Sequence, residues 1–164
     1  MQITRNLILS AVLVAACVSF ITIPLSGHIS DLIGRRKMYL IGAATVGVFG
    51  FIYFWMVDTA SPVLVFIAIV LSLIPHDMMY GPQAALIAEA FTPRLRYSGA
   101  SLGYQLASII AGGPAPLIAT ALFATYKSGF AIAVFIAICS VISLVSAAMM
   151  PDYTGKDISD EYDH

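Results

Sequence analysis

Charge is what this sequence has least of. Of its 164 residues, 10% are charged and 60% are apolar, and the mean hydropathy is +0.92. A water-covered domain uses roughly 25% charged residues, so this chain cannot cover a globular surface and must meet lipid instead. Cysteine is also scarce. The two thiols, Cys17 and Cys139, both fall within apolar runs, where they read as small packing residues rather than a disulfide or metal site. A Gly-rich phosphate-binding loop is absent, which argues against ATP-driven transport by this chain. Neither a Ser/His/Asp arrangement nor metal-ligand spacing occurs, and His28, His76 and His164 are scattered. Enzymatic activity therefore has little to recommend it. No cofactor, metal or nucleic-acid partner is expected.

What the chain does have is long apolar runs. Between Met38 and Glu89 the formal charges are Asp58 and Asp77, and between Ser98 and Pro151 only Lys127 intervenes. A crossing of roughly 30 Å of hydrocarbon takes about 20 apolar residues. The runs predict five spans, Leu7 to Leu25, Met38 to Val57, Pro62 to Ala88, Gly99 to Thr125 and Gly129 to Met149. Each must be helical, because lipid offers no partner to an open strand. The remaining stretch, 152–164, holds five acids and one Lys and reads as a solvated acidic tail. The fold class is an all-α membrane protein of about five transmembrane helices.

Charge placement sets the orientation. Arg35, Arg36, Lys37, Arg94, Arg96 and Lys156 fall on one face of the predicted topology, against Arg5 and Lys127 on the other. The positive-inside rule makes the first face cytoplasmic, with the N-terminus outside and the C-terminus inside. Met1 to Cys17 superficially suits a lipidated signal sequence, but the apolar run continues through Ile23, longer than a signal core needs.

The loop after the first span reads Gly27-His28-Ile29-Ser30-Asp31-Leu32-Ile33-Gly34-Arg35-Arg36-Lys37. Gly34 is placed to end a helix, Asp31 can pair with Arg35 one turn on, and the basic triplet suits cytoplasmic headgroups. The spacing G-x-x-x-D-x-x-G-R-R resembles the cytoplasmic loop motif of the major facilitator superfamily, found between helices two and three and repeated between eight and nine. A second block, Tyr80-Gly81-Pro82-Gln83 through Glu89-Ala90-Phe91-Thr92-Pro93-Arg94-Leu95-Arg96 to Tyr104-Gln105, resembles the tenth and eleventh helices of its metabolite:proton symporter family. The resemblance covers about Ala11 to Pro151 and implies helices eight to twelve, an incomplete C-terminal half of the twelve-helix bundle. It further implies a bacterial inner membrane, no cofactor, and proton-coupled symport of a small organic solute such as shikimate, 2-oxoglutarate, citrate, proline or betaine.

The departure from that family is the first seven helices, which form one wall of this half and the whole opposite half. The motif is expected to lock against the opposite half, so Asp31 and Arg35 are expected to lack a partner here. The cytoplasmic motif would comprise Gly27, Asp31, Gly34, Arg35 and Arg36, with Glu89, Arg94 and Arg96 on the next cytoplasmic loop. Partners are membrane lipids, a small organic solute, protons and, for a split gene, a separate N-terminal half-transporter chain. A truncated, non-transporting remnant is the alternative.

Asp77 lies mid-span, where a carboxylate costs roughly 2.5–3.5 kcal/mol on insertion scales. Two readings stay open: a proton relay or substrate contact, or a carboxyl satisfied by carbonyls that Pro75 and Pro82 free. His76 projects about 100° away round the helix, so the pair need not interact. Leu73, Asp77, Tyr80, Gly81 and Ala84 form a polar strip with room beside it, and Gln83 follows. On the fourth span Ser101, Tyr104, Gln105, Ser108 and Gly112 share a face suited to a watery cavity. Gly99, Gly103, Ala107 and Ala111 form a small-residue ladder suited to helix packing. Gly112, Gly113, Pro114 and Pro116 then break the helix and predict a hinge.

Overall fold

The computed structural model describes residues 5–153, so most of the acidic tail lies outside the described residues. The chain forms α1 (Arg5–Ile33), α2 (Arg35–Asp58), α3 (Pro62–Glu89), α4 (Arg96–Ala107), a π-helical turn (Ser108–Gly112), α5 (Pro114–Tyr126) and α6 (Gly129–Met149). With α4, the turn and α5 taken as one segment, five helices are long and apolar enough to cross a membrane. The protein is a multi-pass membrane protein.

Local chemistry sets the helix ends. Gly34 alone separates α1 from α2, with φ 107° and ψ 130°, a conformation that glycine adopts without a Cβ penalty. Pro62 opens α3, where its missing N–H costs nothing. Ser128 caps α6 by accepting a hydrogen bond from the Phe130 N–H at 3.1 Å. Lys127, left-handed at φ 51°, ends α5. The first helix runs two turns beyond the predicted Leu25, so the Gly27–Asp31 stretch is helical. Ser30 supports this end, its hydroxyl donating to the Gly27 carbonyl at 2.6 Å.

Packing between apolar helices in lipid gains little from water exclusion and depends on close approach. The main contacts run α1 to α3, α3 to α2 and α2 to α6. At each a glycine lets a neighbour in. A Cβ on Gly81 of α3 would lie 2.8 Å from the Ile23 carbonyl oxygen and 2.8 Å from the Gly27 nitrogen of α1. A Cβ on Gly42 of α2 would meet Met79 of α3 at 2.7 Å, and one on Gly47 would meet Ser140 of α6 at 2.7 Å. The Ser140 hydroxyl donates to the Ala43 carbonyl across the α2–α6 contact.

Two expectations about the packing are corrected. The strip on α3 has no room beside it at Gly81, because α1 fills that space. Within this chain the ladder on the fourth span is met at Gly99, where a Cβ would lie 2.6 Å from the Phe91 ring, but α4, the turn and α5 contain no buried residue and nothing lies within 4 Å of a Cβ built on Gly103. The helix break begins one turn before the predicted glycines, at Ser108, since Pro114 cannot donate and the widened turn redistributes the bonds ahead of it.

Gly81→Ala should therefore destabilise the bundle by about 1–3 kcal/mol through backbone overpacking. Gly103→Ala should be neutral or stabilise by up to about 1 kcal/mol through helix propensity. Thermal unfolding of both variants in one detergent checks the contrast, and equal losses would contradict the assigned packing.

Candidate functional site

Two polar clusters lie along the α1–α3 contact. The first is at mid-span. Asp77 is 1% exposed, and an unpaired polar group there would carry a large desolvation cost. Its Oδ2 accepts a hydrogen bond from the Thr22 hydroxyl of α1, and its Oδ1 lies 3.3 Å from His76 Nδ1. The two neighbours in sequence thus meet despite their angular offset, and side chains rather than proline-freed carbonyls satisfy the carboxyl. The His76 ring stacks on Tyr80, with centroids 5.6 Å apart and planes at 18°. Tyr80 in turn lies beside the Tyr104 side chain of α4. A buried carboxyl is therefore linked, through an exposed imidazole and two phenols, to the open side of the bundle. Gln83 is half-buried and Gln105 exposed, and neither is placed in this array.

The second cluster lies at the corner between α1 and α2, beside the end of α3. Arg35 donates from Nε and Nη2 to Asp31 Oδ1 at 3.1 and 3.0 Å. Its Nη1 donates to Glu89 at the end of α3. Arg36 donates to the Ala148 carbonyl in the last turn of α6, where a cation is favoured by the unpaired carbonyls. The expectation that Arg35 lacks a partner in this chain is thus corrected, because Glu89 comes from the same half, while Asp31 makes the expected one-turn pair with Arg35. Gly27 belongs to the α1–α3 crossing rather than to the loop. Arg94 is exposed. Arg96 borders a cavity of about 500 Å³ with Pro93, Tyr97 and Ser101.

Gly112 and Pro114 border a larger, mainly apolar cleft of about 520 Å³ with Ala43, Met79, Ile136 and Ser140. Gly113 joins the turn to α5, and Pro116 lies in the first turn of α5. Among the described residues no three of His, Cys, Asp and Glu cluster as metal ligands. Sequence reasoning missed Thr22. The signal was available in Ser19, Thr22, Ser26 and Ser30, hydroxyls spaced three, four and four apart on one helical face.

The sequence profile of the Major Facilitator Superfamily matches residues 2–162. The chain belongs to this superfamily. Among curated relatives, it is 36% identical to the shikimate transporter of Escherichia coli (strain K12), over 93% of this chain and 35% of that protein. It is 32% identical to the inner membrane metabolite transport protein YhjE of the same organism, over 87% of this chain and 32% of that protein. A putative proline/betaine transporter of Staphylococcus aureus (strain COL) is 29% identical, over 89% of this chain and 32% of that protein. The chain spans about a third of the length of these relatives. No solved structure matches it significantly.

The side chains of Arg35 and Glu89 are 29% and 10% exposed, so removing the arginine strands a nearly buried carboxylate. Arg35→Ala should destabilise the bundle by about 3–5 kcal/mol, and Arg35→Ala with Glu89→Ala by less than the sum of the single changes, with a coupling of roughly 0.5–3 kcal/mol. A double-mutant cycle by denaturant titration in nanodiscs measures this, and additivity would refute the pairing.

Proposed function

We propose that this chain serves in proton-coupled symport of a small organic solute across a bacterial inner membrane, with Asp77 as the carboxyl that takes up and releases the proton. The observation that carries the proposal is the position of Asp77, buried at mid-span yet linked through His76, Tyr80 and Tyr104 to the open face of α4. Ionisable groups at this depth default to proton relay or substrate contact. Relatives named for shikimate and for proline/betaine support a small, polar organic substrate. In this mechanism Asp77 exchanges its proton while Tyr80, Tyr104 and neighbouring polar groups of α4 contact the solute. The Arg35–Asp31–Glu89 cluster holds the cytoplasmic ends of α1 and α3 together as the bundle rocks, with the N-terminus outside and the C-terminus cytoplasmic.

The unburied fourth span supports one addition. Further membrane helices, on the same polypeptide or on a separate half-transporter chain, cover α4 and complete the solute site. A chain without them is a non-transporting remnant.

The test is uptake into proteoliposomes by the transporter containing this chain together with those further helices, using shikimate, proline and betaine as trial substrates. Asp77→Asn should lower proton-driven uptake by roughly a hundredfold or more, the scale of losing a positioned proton-transfer group, while leaving substrate exchange without a gradient measurable. Unchanged uptake with an intact pH dependence would remove Asp77 from the coupling role.

A further inference from the structure

The Thr22 hydroxyl has two partners and one proton. Its oxygen lies 3.2 Å from the Val18 carbonyl of its own helix and also within hydrogen-bonding distance of Asp77 Oδ2. A hydroxyl can donate once and accept twice. With Asp77 ionised, Thr22 donates to the carboxylate. With Asp77 protonated, the carboxyl donates to Thr22 Oγ1, and the threonine proton turns to the Val18 carbonyl. Both states are satisfied without moving a helix. No water is needed in the seam, which Gly81 keeps at backbone contact.

We propose that Thr22 is a positioning residue that keeps Asp77 hydrogen-bonded in both protonation states, so that the buried carboxyl can load and release a proton within a closed α1–α3 contact. This rests on the proton-coupling role of Asp77. The other groups around this level of α3 do not supply the same function. His76 reaches the opposite carboxyl oxygen. On α1, Ile23 and Ser26 face Gly81 rather than Asp77. On α2, Tyr53 borders a small cavity with Ser72 and Pro75, and Gly42 faces Met78 and Met79. Tyr104 of α4 reaches Tyr80.

Hydrogen bonds to an ionised acceptor are about twice as strong as neutral ones. Losing the hydroxyl therefore disfavours the ionised carboxyl more than the protonated one. Thr22→Val preserves shape and removes the hydroxyl, Thr22→Ala removes it with less volume, and Thr22→Ser keeps it. The experiment is a pH titration by difference infrared spectroscopy in nanodiscs, following the protonated-carboxyl band that Asp77→Asn abolishes. Thr22→Ser should titrate like the parent, while Thr22→Val and Thr22→Ala should move the midpoint to higher pH by about one unit, a tenfold change in proton affinity. Parent-like midpoints in both Thr22→Val and Thr22→Ala would overturn the proposal, as would a Thr22→Ser shift equal to theirs. A band that titrates normally alongside uptake insensitive to Asp77→Asn would instead overturn the coupling role and leave the Thr22 hydrogen bond standing.

Discussion

The close approach of α1 and α3 at Gly27 and Gly81 governs the geometry of both polar clusters. A backbone separation that leaves no space for a Cβ on Gly81 brings side chains on either side of the crossing into direct contact. Toward mid-span it places Thr22 on Asp77, and toward the motif end, together with the α2–α3 contact, it places Arg35 at the start of α2 on Glu89. A wider crossing would leave Asp77 with only His76 and would require water in an apolar seam. In lipid, where apolar helices gain little from burying one another, small residues at a crossing are what make such a contact possible.

The two clusters use charge differently. Arg35 and Arg36 lie at the start of α2, where Arg35 pairs with the Glu89 side-chain carboxylate at the end of α3 and Arg36 donates to a backbone carbonyl in the last turn of α6. Their cost is modest because they are partly exposed. Asp77 is fully enclosed, so its partners must satisfy it whichever charge it carries. A threonine and a histidine can both donate and accept, whereas a lysine or arginine at the same place would favour only the ionised form. Partners that can both donate and accept leave the carboxyl hydrogen-bonded in either state.

Much of this was legible in the sequence. Apolar run lengths marked the spans, and Gly34 with Asp31 and Arg35 marked the α1–α2 corner, because local spacing alone determines a one-turn ion pair. The partner of Arg35 was not legible. Glu89 lies 54 residues further on, and only the packing of α3 against the α1–α2 corner brings it near. Thr22 was legible only as one of four hydroxyls on a face of α1, with Ser19, Ser26 and Ser30; that it meets Asp77 depends on the facing helix. The small-residue ladder on the fourth span was legible as a packing face, but spacing shows what a face could pack against, not which helix reaches it; in this chain Phe91 meets Gly99 alone among its glycines.

That span is the least anchored part of the bundle, and its placement has a mechanical consequence. It touches α3 through α4 and α6 through α5, with the π-helical turn between the two contacts. A π turn carries an extra residue and the proline after it lacks a donor, so bending there breaks fewer regular hydrogen bonds than bending elsewhere in the span. The α4 side carries Tyr104, whose side chain lies beside Tyr80, next to the His76–Asp77 pair. A bend at the turn would thus move Tyr104 relative to Tyr80 without disturbing the α1–α3 crossing. The open side can therefore move at the tyrosine pair while the crossing, with Asp77 enclosed in it, stays fixed.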